Sequence, residues 1–438
     1  MPGLLARYHQ ALEPLEAVEV MGRVTQVVGL VAEVQGLLLP VGAGAHLHTE
    51  DGALLAEVVG FRGRRMLVMP YGQMRGIKPG CTVTRAEEGA MVRVGPGLLG
   101  RVVDALGRPL DDGPDPGFET LYPLYNDPPP AVSRRRIREP VDTGVRVINA
   151  MFTLGKGQRI GIFAGSGVGK STLLSMIARH TTADVNVIAL VGERGREVRD
   201  FIERDLGEEG MKRSVVVVAT SDQPALLRMR AAYLAHSVAE YFRDQGKDVM
   251  LMMDSVTRFA LAAREVGLSI GEPPTTKGYT PSVFAQLPRL LERAGTTEHA
   301  GSITGIYSVL VEGDDVTEPV ADAMRSILDG HVVLTRELAD QGHYPAVEVL
   351  GSVSRLMPEV NPPEVVQAAR RLQELIAAYR RNEDLINIGA YAQGSNPLID
   401  KAIALHERIT AFLRQPMEEG ADLESSRRAL LELAAAAR

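Results

Sequence analysis

The chain of 438 residues has no tryptophan, a single cysteine and only 5% aromatic residues. Cys81 alone can form neither an internal disulfide nor a cysteine cage for a metal, which points to a reducing compartment. So few aromatics leave little material for stacking the bases of a single strand. Positive charge is also short: 48 Lys and Arg stand against 55 Asp and Glu, a net charge of −7, which argues against broad electrostatic binding of nucleic acid. No run reaches the roughly 18 apolar residues of a membrane-crossing helix. Glu13 and Glu16 fall where a secretory signal would need an apolar core. The expectation is a cytosolic protein that can still dock on a membrane complex. What is present is an ordinary globular mixture, 45% hydrophobic and 24% charged, long enough for about three domains.

Residues 18–92 carry short apolar runs (Val18 to Val34, Leu37 to Val41, Leu54 to Phe61, Met66 to Pro70) cut by glycines and turn residues, a spacing that predicts a small β-barrel or sandwich. Residues 107–140 are rich in proline, glycine and charge and are expected to be a surface connection, with Arg134, Arg135 and Arg136 as a solvated or interface cluster. From residue 141 strands alternate with helices. Arg159 to Ala164, Val185 to Val191, Val215 to Ala219 and Val249 to Met253 are near-continuous apolar runs, as befits strands of a parallel sheet buried on both faces. Beyond 361 the chain is helical, with Asn396-Pro397 and Asp422 as helix starts. The expected domains are therefore 18–92, a β-barrel; 93–360, an α/β domain with a mostly parallel sheet; and 361–438, helical. The segment 1–17 holds Leu4, Leu5, Tyr8, Leu12 and Leu15 at near-helical spacing.

The segment Gly161 to Thr172 reads GIFAGSGVGKST. Gly165, Ser166, Gly167, Val168, Gly169, Lys170, Ser171 and Thr172 match a phosphate-binding loop, with Ala164 in place of its first glycine. A buried strand must turn sharply into a helix here, and small residues let backbone N–H groups form a nest for phosphate oxygens. Lys170 neutralises β and γ phosphates, and the Ser171 hydroxyl suits Mg2+. Alanine is tolerable at 164 if φ stays negative. Asp254, ending the run DVMLMMD, fits a Mg2+-side acid, although an acidic cap of the next helix would look the same. Glu193 and Arg194 follow a buried strand directly, where α/β sheets place ligands. Glu193 is the candidate base for water and Arg194 a γ-phosphate contact, with a solvated turn as the alternative. The nine histidines show no spacing such as HExxH, so no metal is expected beyond the Mg2+ of bound nucleotide.

Together with GERGRE, LMMDSVTRFA, PPTTKGYTPSVFAQLPRLLERAG, VLVEGDD, RSILDGHVVL, GHYPAVEVLGSVSR and NIGAYAQGSNPLID, this loop resembles the type III export ATPases, relatives of the catalytic subunit of rotary ATP synthases. The phrasing GVRVINAMFTLGKGQRIGIF looks most like the flagellar export branch. The resemblance implies a barrel, a central RecA-like domain and a helical C-terminal domain, in a homohexameric ring with ATP between subunits. It implies roles for Lys170 and Ser171 on phosphate and Mg2+, for Glu193 in activating water, and for Arg194 on phosphate. It further implies Glu197 and Asp254 as acids around the metal, Arg258 near the γ-phosphate, Tyr344 against adenine and Arg355 as an arginine finger in the neighbour's site. The partners it implies are a dimeric stator-like regulator at the N-terminal segment, a coiled-coil stalk in the ring, the membrane export gate and substrate–chaperone complexes. The location it implies is the cytoplasmic side of the inner membrane.

Three other functions fit parts of the sequence. A rotary ATP synthase catalytic subunit shares the loop, but PPTTKGYTPSVFAQLPRLLERAG resembles the export enzymes more closely. A hexameric RNA-translocating terminator shares the RecA-like core, yet residues 18–92 offer only Phe61 and Tyr71 as aromatics. An interaction protein with a dead nucleotide site would not need Glu193.

Overall fold

The computed structural model describes residues 20–86, 89–299, 301–311 and 318–437. The expected N-terminal stripe from Leu4 to Leu15 lies outside them, as does most of VLVEGDD. Contacts divide the chain into two units: residues up to Met91 with Val266–Glu272, and Val92–Glu265 with Pro273 onward.

The first unit contains a closed six-stranded barrel. Its order is Gly22–Val28, Val31–Gln35, Arg65–Pro70, Gly52–Arg62, Gly44–Thr49 and Thr82–Arg85, which returns to the first strand. Alternation builds the interior: Ala45 and Leu47 are fully buried while His48 faces out, with Nε2 2.9 Å from Thr84 Oγ1. Closure removes the unpaired edges an open sheet would expose. One expected run is corrected. Leu37 to Val41 is not a strand; it is an irregular link with Leu37 and Leu39 buried and Leu38 and Val41 exposed. Pro40 has no N–H to give a ladder. The strand Gly44–Thr49 takes the place in the barrel instead. Cys81 is buried, as a small apolar filler would be.

The second unit is built on a nine-stranded sheet. Its main path runs Val353–Ser354, Gly330–Leu334, Arg159–Ala164, Ser302–Leu310, Asp248–Asp254, Val185–Val191, Ser214–Ala219 and Val102–Asp104, with Gly295–Thr296 paired to Ser302–Leu310. Every pairing from Gly330–Leu334 to Val102–Asp104 is parallel. The apolar runs predicted as strands are all here, and Val185–Val191 is buried at every position. Helices such as Ala225–Asp244 and Lys170–His180 pack on this sheet and supply the crossovers parallel strands require.

The region 107–140 is more structured than a surface connection. Thr120–Pro123 pairs with Met91–Val94. Arg134 donates to the carbonyl of Ala294 at 2.9 Å and pairs with Glu292 at 3.1 Å, while Arg135 donates to the carbonyls of Thr297 and Gly301 at 3.1 and 3.0 Å. Two of the three arginines therefore hold the segment down by satisfying backbone acceptors of residues 294–301.

The C-terminal part is three helices, Pro363–Asn387, Pro397–Leu413 and Leu423–Ala436. Both predicted starts are caps: Asn396 accepts from Leu398 N, and Asp422 from Ser425 N. Leu372, Leu405 and Leu430 join one core with Ile162 and Ile177 of the nucleotide-binding part. Asn149 in the short helix Arg146–Met151 donates to the carbonyl of Ala421 at 2.9 Å, a polar tie across the same junction.

Candidate active site

Because the central strands are parallel, their C-terminal ends lie at one edge of the sheet. Ala164, Val191 and Asp254 all end there, and the loops that follow bring the candidate residues together. After Ala164 the chain turns through Gly165 to Gly169 and enters the helix Lys170–His180. Gly167 and Gly169 have φ of +79° and +92°, a left-handed conformation that glycine adopts without a Cβ clash. Gly169 caps the helix without a side chain, and no acidic residue occupies the first turn. The first N–H groups therefore remain available to an anion at the positive end of the helix. Ala164 ends the strand as an ordinary β residue, buried, its carbonyl accepting from Val311 N at 3.0 Å. The departure from glycine costs nothing there.

Lys170 reaches back across the edge of the sheet. Its ammonium bonds to Asp254 Oδ1 and lies 4.0 Å from Glu193 Oε1. Asp254 is almost wholly buried and also accepts from Ser308 Oγ at 2.8 Å. The register explains the last contact. Met253 pairs with Tyr307 on the adjacent parallel strand, so the next residues along, Asp254 and Ser308, are level. Asp254 is thus no helix cap. That position belongs to Ser255, whose Oγ accepts from Arg258 N at 3.3 Å.

Glu193 sits one residue past Gly192, which has φ +74° and whose absent Cβ would fall 2.9 Å from the Arg258 Cβ. Only glycine allows the strand to turn there while Arg258 packs against it. The Glu193 carboxyl is pushed up to about 7, first by burial and then by the negative charge of Asp254; Lys170 opposes this, and the hydrogen bond that protonated Glu193 gives to Glu197 reinforces it. A carboxyl poised near neutrality at the end of a buried strand is suited to exchanging a proton with water.

The other candidate residues divide by position. Arg258 is half-buried, and its Nε is buried without a hydrogen-bond partner among the described residues. Arg194 is exposed and pairs with Glu197 at 3.3 Å. Glu197 bonds Glu193 and Arg194 but neither Asp254 nor Ser171 among the described residues. Ser171 is exposed at the mouth of the loop and Val168 is buried beneath it. Tyr344 lies beside the loop: a Cβ built on Gly169 would meet its ring at 3.4 Å, and its carbonyl accepts from Gln415 N at 2.9 Å. Arg355 is exposed, and among the described residues its one side-chain bond is a 3.4 Å contact to the carbonyl of Arg325. Among the described residues no carboxylate pairs with its guanidinium. Two residues escaped sequence reasoning. Ser308 carries no motif and is found only from strand register, and Arg336 Nη2 donates to the carbonyl of Ser166 at 2.9 Å.

Three family descriptions match consecutive parts of the chain. Residues 24–87 match the β-barrel domain of the ATP synthase alpha/beta family, residues 144–354 its nucleotide-binding domain, and residues 361–432 the T3SS EscN ATPase C-terminal domain. The chain is 54% identical to the flagellum-specific ATP synthase of Bacillus subtilis, covering 96% of this chain and 97% of that one. It is 49% identical to the flagellum-specific ATP synthase of Salmonella typhimurium, covering 97% and 96%. Among solved structures, the assembled ATPase EscN of the enteropathogenic E. coli type III secretion system superposes with a TM-score of 0.90 at 45% identity, over 94% of this chain and all of that one. The same ATPase with its central stalk EscO gives 0.87 at 44% identity, again over 94% of this chain. By the length and order of these matches, the chain belongs to the ATP synthase alpha/beta family, within its flagellum-specific and type III secretion ATPases.

Proposed function

We propose that this chain hydrolyses ATP in a homohexameric ring and energises flagellar protein export, releasing and unfolding substrates from chaperones at a membrane gate. The observation that carries the hydrolytic part is the convergence of Lys170, Asp254 and Glu193 at one edge of a parallel sheet beside an uncapped helix start. The loop backbone from Gly165 to Thr172 receives the phosphates, and Lys170 exchanges its carboxylate partner for phosphate oxygens. Glu193 orients the attacking water in line with the γ-phosphate and accepts its proton. Arg194 and Arg258 meet charge on the transferred group. Tyr344 covers the adenine, with Gln415 holding its backbone.

The donors present fit Mg2+, a hard cation that takes oxygen ligands. The Ser171 hydroxyl and the Asp254 carboxylate would hold it, with Glu197 reaching in from the rim. When bound, it would neutralise negative charge that develops on the phosphates. Arg355 is exposed and has no carboxylate partner among the described residues, which supports its reading as a finger offered to the next subunit. Hydrolysis would then require assembly. Export as the purpose of hydrolysis follows the full-length likeness to the flagellum-specific enzymes rather than the site itself. The stator-like regulator, the central stalk and the peripheral position at the inner membrane are proposed on the same basis. Among the described residues no helix is long and apolar enough to cross a membrane.

The test is Glu193→Gln. The variant should bind ATP as the parent does and lose about 10²- to 10⁴-fold in turnover, the range for a positioned base. Near-normal turnover would remove Glu193 from this role. Specific activity of the parent should also rise with protein concentration and level off once rings form.

A further inference from the structure

Residues Thr335 to Ala346 form a closed loop. Thr335 N donates to the carbonyl of Ala346 at 3.0 Å, and His343 N to that of Leu338 at 2.9 Å. His343 is buried at the loop's base. This one loop touches the phosphate loop twice. Tyr344 lies against Gly169, and Arg336, at the start of the short helix Arg336–Asp340, donates from Nη2 to the carbonyl of Ser166 at 2.9 Å.

The second contact has a stereochemical consequence. The Ser166–Gly167 peptide is trans, as are all described peptide bonds but Asp254–Ser255 and Tyr344–Pro345. In a trans peptide the C=O and the following N–H point in opposite directions within one rigid plane. Gly167, at φ +79°, has no Cβ to resist rotation of that plane. A loop with glycine at 165, 167 and 169 needs something outside itself to choose between the two faces its N–H groups could present. A guanidinium fixed to the outer carbonyl makes that choice.

We propose that Arg336 is a positioning residue for the phosphate site: by holding the Ser166 carbonyl outward it turns the Gly167 N–H inward, toward the phosphates of bound nucleotide. Arg336 touches no phosphate itself; it acts through the backbone. Because Arg336 and Tyr344 share one closed loop, base and phosphate ends of the site are braced by the same element. This inference rests on the nucleotide-hydrolase reading and names a residue which that reading does not use.

The experiment compares the full-length parent with Arg336→Ala, Arg336→Gln and Arg336→Lys, measuring binding of ATP, ADP and adenosine alongside steady-state hydrolysis. Loss of one charge-assisted bond should weaken ATP and ADP by about tenfold and leave adenosine within about twofold, since only ligands with phosphates sense the Gly167 N–H. KM should rise about tenfold, while kcat falls by less than about threefold. The order should be Ala worst, Gln intermediate and Lys nearest the parent, because each retained donor restores part of the hold on the carbonyl. ATP binding by Arg336→Ala equal to the parent's would overturn the proposal. So would an equal loss for adenosine, which marks collapse of the whole loop, or a fall in kcat with KM unchanged, which marks direct contact with the reacting group. Should Arg336→Ala fail to fold, the Gln and Lys variants decide on the same readouts. A parent chain that bound no nucleotide would instead sink the hydrolase reading.

Discussion

Lys170 gives its ammonium to Asp254, which is buried at the end of the strand Asp248–Asp254. The cation that should meet phosphate is therefore engaged by the acid that should meet Mg2+. Nucleotide has to separate them, and the Asp254 carboxylate so released would be free to hold Mg2+. Asp254→Asn should remove both the competitor and a negative charge facing the phosphates. Titration calorimetry in chelator should then show metal-free ATP binding at least as tightly as to the parent, with the Mg2+-dependent gain in affinity lost. Weaker metal-free binding would mean that Asp254 supports Lys170 rather than competing for it.

Glu193, pushed up to about 7 by burial and by Asp254, holds its proton more tightly in the folded chain than at its ordinary 4.5. The sign follows from linkage. Between those values the folded state binds more protons than the unfolded, so this carboxyl's contribution to stability is full below 4.5 and falls as pH rises through about 7. Activity moves the other way, because the base must be deprotonated. The acid limb of kcat/KM should lie near neutrality. Glu197 bonds to Glu193 and raises it further, so Glu197→Ala should move that limb to lower pH whatever it does to the maximum rate. ATP's own titration is the same for both proteins, so an unmoved limb would assign it to the nucleotide.

Glu240 and Arg293 form a second buried ion pair, away from the chemistry. Both side chains are 1% exposed, with Nε to Oε1 at 2.8 Å, and Arg293 also donates to the Leu124 carbonyl and to Ser237 Oγ. Removing one partner leaves a buried charge uncompensated, at a cost of about 3–5 kcal/mol. Glu240→Gln should lower the melting temperature markedly, whereas replacing both residues by methionine should cost less than the sum of the single changes. Additive losses in a double-mutant cycle would show that the two do not act as a pair.

Much of this architecture was legible in the sequence because its signals are local. The phosphate-loop strand Arg159–Ala164 needed only an apolar run and glycines, and Asn396 and Asp422 declared themselves as caps through their neighbours. The barrel was legible as a class but not strand by strand. Leu37 to Val41 is as apolar as any strand, yet Pro40 and alternating exposure make it a link, while GAHLHT, which is less apolar, pairs on both sides. At the site, Lys170 could be nominated from the phosphate-loop motif and Asp254 from its strand end. Ser308 and Arg336 could not, because the first depends on the register of Asp248–Asp254 against Ser302–Leu310 and the second on a contact spanning 170 residues of sequence. Arg134 and Arg135 read only as solvated or interface charge, because the carbonyls they satisfy lie more than 150 residues away.

The central claim is that one subunit's phosphate loop works with the neighbour's Arg355. Mixing two silent chains tests it most directly. Lys170→Ala lacks the loop cation and Arg355→Ala lacks the finger, and each alone should fall at least about 100-fold below the parent, given finger effects of roughly 10³ to 10⁵ in other nucleotide hydrolases. In mixed rings, an intact loop from the Arg355→Ala chain meets an intact arginine from the Lys170→Ala chain. The account predicts that ATP hydrolysis reappears on mixing, peaks near equal amounts and needs no other component. A mixture that co-assembles and stays as silent as its parents would contradict it.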